Sequence, residues 1–156
     1  MRRAGAGALV TLLAAAASAH PAPNSMLKLD FQPDQVRAEY WVPVSELAYA
    51  RAADAGGGFP DYLLRHLAAE SADGVRWQVS VTAVREDHYA DHPYLVADLR
   101  LVPPAGASPR AFVLLDDAVT HEVRNHVVYV VARHDAGSEL LGLLQYPARR
   151  LQIGGR

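Results

Sequence analysis

Leu27-Lys28-Leu29-Asp30-Phe31, followed by Gln32-Pro33-Asp34-Gln35 and then Val36-Arg37-Ala38-Glu39-Tyr40-Trp41-Val42, carries the most structural information in this chain. In the first arm Leu27, Leu29 and Phe31 alternate with Lys28 and Asp30. In the second, Val36, Ala38, Tyr40 and Val42 alternate with Arg37 and Glu39. A period of two with a proline-containing break predicts a β-hairpin that is dry on one face and wet on the other. Outward from it, Val75, Trp77, Val79, Val81 and Ala83 repeat the pattern against Arg76, Gln78, Ser80 and Thr82. Further strands are expected at Tyr94 to Val102, Arg110 to Val119, His126 to Arg133 and Leu140 to Tyr146. Pro103-Pro104-Ala105-Gly106 and His134-Asp135-Ala136-Gly137 supply turns between them.

One segment has a different period. After Gly56-Gly57-Gly58, Pro60 and Asp61 suit a first helical turn, and Tyr62, Leu63, His66, Leu67 and Glu70 share one side of a helix that Gly74 would follow. Six or seven closely spaced strands with one inserted short helix predict a mainly β protein, an antiparallel β-sandwich immunoglobulin-like in outline. A parallel α/β sheet is disfavoured, because most inter-strand segments are too short for crossover helices.

The 156 residues are 51% hydrophobic and 21% charged, a globular balance. Arg2 and Arg3 precede an apolar run from Ala4 to Ala17, which ends in Ala17-Ser18-Ala19. These are the marks of a signal peptide over 1–19, leaving 20–156 as a single extracytoplasmic domain with His20 first. An uncleaved N-terminal anchor is the other reading. No later run approaches the roughly 18 apolar residues that a membrane crossing needs. Without Arg2 and Arg3, 13 basic residues face 17 acidic ones, which argues against a nucleic-acid partner held by a general positive field. Cysteine is absent, so disulfides, thiolate metal sites and cysteine nucleophiles are excluded.

The chemistry therefore falls to seven histidines. In Thr120-His121-Glu122-Val123-Arg124-Asn125-His126, a four-residue hairpin loop would make His121 and His126 facing partners, near enough for both imidazoles to reach one ion. The spacing permits chelation without requiring it, since a His pair at a hairpin mouth is otherwise simply solvated. A mature N-terminal His20 would add its α-amino and ring nitrogens. Together His20, His121 and His126 form an all-nitrogen metal set suited to copper(II), with nickel(II) or zinc(II) less favoured. Asp116-Asp117 would support His121 through an outer hydrogen bond. His88 and His92, interleaved with Glu86, Asp87 and Asp91, read as a polar loop, with a secondary ion site as the alternative, and His66 as a packing residue with one hydrogen bond. No nucleophile elbow, HExxH run or phosphate loop is present, so no enzyme is expected.

His20-Pro21-Ala22-Pro23-Asn24-Ser25, Pro43-Val44-Ser45-Glu46-Leu47, Tyr62-Leu63-Leu64-Arg65-His66, Asp73-Gly74-Val75-Arg76-Trp77, Leu101-Val102-Pro103-Pro104 and Asp117 through His126 resemble, in order and spacing, the N-terminal extracytoplasmic domain of HupE/UreJ-type membrane proteins. That resemblance implies hydrogenase or urease accessory functions and handling of nickel or a related metal. Those proteins continue into a helical membrane bundle, whereas this chain stops at Arg156. The expectation is a free-standing domain or one part of a split membrane protein. Its function would be that of an exported metal-accessory domain; the alternative is an interaction module that docks on a membrane partner without metal.

Overall fold

The computed structural model describes residues 23–52 and 56–155. The hairpin forms as its alternation dictates. Strand β1 (Ser25–Phe31) runs antiparallel to β2 (Val36–Pro43), with Leu27 opposite Tyr40 and Leu29 opposite Ala38. Helices α1 (Val44–Ala52) and α2 (Phe59–His66) follow, then β3 (Leu67–Glu70), β4 (Gln78–Tyr89), β5 (His92–Val102), β6 (Phe112–Asp116), β7 (Val128–His134), β8 (Gly137–Leu144) and β9 (Arg150–Ile153). Two sheets result: six strands in the order β4-β5-β2-β1-β7-β8, and three in the order β3-β6-β9.

The expected mainly β sandwich is present. Leu27, Leu29, Val36, Ala38, Tyr40 and Val42, with Leu99, Leu101 and Val130 on neighbouring strands, belong to one buried cluster with Leu67, Ala69, Phe112, Leu114 and Ile153 of the small sheet. Each large side chain so buried contributes about 1.5–3 kcal/mol. The intervening positions of the six-stranded sheet, Lys28, Asp30, Arg37, Glu39, Asp98 and Arg100, line a polar cleft on its other face.

Several expectations are corrected. There are two helices rather than one, since Val44–Ala52 is also helical. The second ends at His66, and Leu67–Glu70 is a strand paired with β6. Not every pair is antiparallel, because β1 lies parallel to β7. The polar segment around His88 and His92 is a hairpin, in which Tyr89 faces His92 across Ala90 and Asp91. Both of these turn residues have positive φ, 47° and 65°. Two consecutive left-handed residues match the right-handed twist of the flanking strands.

Candidate metal centre

The β3–β6 register assembles the site. Leu67 pairs with Asp116, so the next residues outward, His66 at the end of α2 and Asp117 at the end of β6, arrive side by side. The Asp117 N–H donates to the His66 carbonyl at 3.1 Å. The His66 ring Nδ1 lies 2.8 Å from Asp117 Oδ1. Asp117 Oδ2 accepts from Arg149 Nη1 at 2.7 Å, and Arg149 precedes β9, whose Arg150 pairs with Leu115 of β6.

His121 comes from the turn that leaves β6. The His121 N–H donates to the Asp117 carbonyl at 3.0 Å, a single helical turn that brings its ring back over Asp117. The His121 ring Nδ1 is 2.9 Å from the same carbonyl. A carbonyl only accepts, so Nδ1 carries the proton and Nε2 keeps its lone pair. A carboxylate likewise accepts from His66 Nδ1. The two imidazoles stack with centroids 4.2 Å apart and planes 16° from parallel. Tyr62 stands beside His66, its ring centroid 4.6 Å away.

The turn is held under strain. Val119 adopts φ 66°, a left-handed conformation that costs a β-branched residue on the order of 1–3 kcal/mol. It is fully buried, and its N–H donates to the Tyr62 hydroxyl at 2.8 Å. Behind it, Asp116 accepts from the Tyr40 hydroxyl at 2.6 Å and from the Ala118 N–H at 3.0 Å. Burial is the main influence on Asp116 and pushes its carboxyl up to about 7.

One donor atom each from His66, Asp117 and His121 lies within 4.8 Å of the other two, and all three residues are half-buried. Ligands about 2 Å from a shared ion need closure of an ångström or so from that spacing. A small cavity of about 210 Å³ opens beside them, lined in part by His66, Asp117, Arg76 and Arg149.

This is not the set expected from spacing. The residues joining β6 to β7 cross between sheets rather than close a hairpin, so His121 and His126 are not cross-strand partners. His126 is instead buried at 2% exposure, and its Nε2 accepts from the Ser25 N–H at 3.2 Å and lies 2.8 Å from Ser25 Oγ. It ties the start of β1 to the start of β7. Among the described residues its Nδ1 has no hydrogen-bond partner, and burial pushes its pKa down to about 4. His20 lies outside the described residues. Sequence reasoning passed over His66, because only the pairing of β3 with β6 brings it to Asp117. Asp117 was legible as an outer partner of His121, four residues before it, the spacing of one helical turn.

No helix among the described residues is long and apolar enough to cross a membrane. No protein-family model matches the chain, and no curated protein matches it.

Proposed function

We propose that this chain is an exported, non-enzymatic metal-accessory domain that holds a transition-metal ion on His66, Asp117 and His121. The observation that carries the reading is the convergence of two imidazoles and a carboxylate within 4.8 Å. Its supporting detail is the hydrogen bonding. Both rings turn Nδ1 toward an oxygen of Asp117, and an ion would take the place of the proton between His66 Nδ1 and Asp117 Oδ1. Two imidazole nitrogens and a carboxylate oxygen suit borderline divalent ions, with copper(II) bound most tightly and nickel(II) next in the usual order. His20, if exposed by signal cleavage, would add α-amino and ring nitrogens. The resemblance of short segments to HupE/UreJ-type domains fits such a role and makes a helical membrane protein the natural recipient.

The test is calorimetric titration of copper(II) and nickel(II) into the chain beginning at His20. Substitutions His66→Ala and His121→Ala should each weaken binding at least about tenfold, as loss of a ligand does, whereas His126→Gln should leave it unchanged. One residue added before His20 isolates any N-terminal chelate. Unaltered affinity in both the His66 and His121 variants would overturn the assignment.

A further inference from the structure

Away from the histidine cluster, on the charged side of the six-stranded sheet, a cleft of about 460 Å³ has walls made chiefly of Trp41, Tyr94, Tyr129 and Met26, with Tyr89 from the tip of the β4–β5 hairpin. The volume is in the range of small-molecule sites. Trp41 and Tyr94 meet edge to face at 6.1 Å, and Tyr89 and Tyr94 at 6.4 Å. Tyr89 and Tyr129 are 59% and 38% exposed, so ring surface faces the opening.

Two cations stand over the Trp41 ring, and Arg85, 5.9 Å from its centre, is paired with Asp98 at 2.7 Å, which leaves Lys28. Lys28 Nζ lies 4.2 Å from the centre of the Trp41 ring. Its cross-strand neighbour is Glu39, but that carboxylate is already engaged. Glu39 Oε2 accepts from the Trp41 indole N–H at 3.2 Å, and Oε1 lies 3.0 Å from Arg133 and 3.7 Å from Arg85. Among the described residues, no carboxylate lies within ion-pair distance of Lys28. Partial burial lowers its pKa below the ordinary lysine value. Glu39 and Asp87 act on Lys28 only through space, so this partly desolvated ammonium at the edge of an aromatic cleft has no contact ion pair among the described residues.

We propose that this cleft binds a small planar aromatic carboxylate, its ring against Trp41 and the exposed tyrosines and its carboxylate on Lys28. Aromatic walls favour a flat ring through offset and edge-to-face contacts. The ammonium selects for the anion, because a neutral analogue leaves the same charge unmatched. The site is independent of the metal centre and stands whether or not that centre binds an ion.

The experiment uses three naphthalenes of one shape and different charge: 1-naphthoate, the neutral 1-naphthamide and cationic 1-naphthylmethylamine. Each is titrated into the chain while the Trp41 indole N–H cross-peak is followed by NMR. Naphthoate should move that peak and bind at least tenfold more tightly than the amide, with the amine weakest. Lys28→Met should bring the acid and amide within about twofold of each other while leaving the other amide resonances in place, and Lys28→Arg should restore the preference. Tyr129→Ala should weaken all the bound naphthalenes together. Equal affinity for the three in the unaltered chain, or an acid preference that survives in Lys28→Met, would overturn the proposal. So would naphthoate binding that leaves the Trp41 peak unmoved.

Discussion

His126 makes stability depend on pH in a way that a single substitution should remove. Its ring is 2% exposed, Nε2 receives the Ser25 N–H, and Nδ1 meets no partner among the described residues. Protonation would place an unpaired charge in the interior, and burial accordingly lowers its pKa from 6.5 to about 4. Between those limits the unfolded chain binds a proton that the native chain refuses. The native state is therefore undisturbed by this group above 6.5 and loses stability as pH falls toward 4. Over two and a half pH units, at about 1.4 kcal/mol each, the full loss approaches about 3.5 kcal/mol. His126→Gln keeps an acceptor near the Nε2 position and has no proton to gain. Urea denaturation of both proteins by tryptophan fluorescence, every half unit from pH 4 to 7.5, gives two stability curves. Their difference should be constant above 6.5 and should shift in favour of the glutamine variant by about 1.4 kcal/mol per unit below it. Parallel curves across the range would refute the argument.

Tyr40→Phe removes the hydroxyl that donates to the buried Asp116 carboxyl at 2.6 Å and should cost about 1–3 kcal/mol in urea denaturation at pH 7. A loss within experimental error would mean the contact is energetically idle. Gly154→Ala would put a Cβ 1.9 Å from the Arg110 carbonyl oxygen at φ 59°, whereas Gly74→Ala, at φ 82°, meets nothing within 4 Å. The second should cost about 1 kcal/mol for its backbone conformation alone, and the first clearly more, by thermal or chemical denaturation. Equal costs would contradict the close approach of the Arg110 carbonyl to Gly154.

The hairpin over 25–43 and strand β5 were legible because one face is buried and the other wet, so the chain alternates at period two. Strand β3 was not. Leu67-Ala68-Ala69-Glu70 is composed of good helix formers and continues the helical stripe of α2, yet pairing with β6 wins over local preference. Helix α1 escaped notice because it buries only Glu46, Leu47 and Ala50, too few positions to write an apolar stripe. The charged end of β4, Arg85 through His88, hid a strand because it lies at a sheet edge with little to bury.

The metal cluster was half legible. His121 was singled out, with Asp117 as its neighbour, and both lie close to His66, but His126 was joined to His121 by assuming that consecutive strands pair. The partner that matters, His66, lies 51 residues before Asp117 and reaches it only through the register of the small sheet. Nothing in a local spacing encodes that. The parallel pairing of β1 with β7, which seats Ser25 on His126, is nonlocal in the same sense, with the pair 101 residues apart.

The most direct test of the metal assignment is two-dimensional nitrogen NMR of the histidine rings during substoichiometric addition of copper(II). The apo protein should show His66 and His121 protonated at Nδ1. The first additions should broaden these two rings while His126 stays sharp. Broadening of His126 with His66 unaffected would contradict the account.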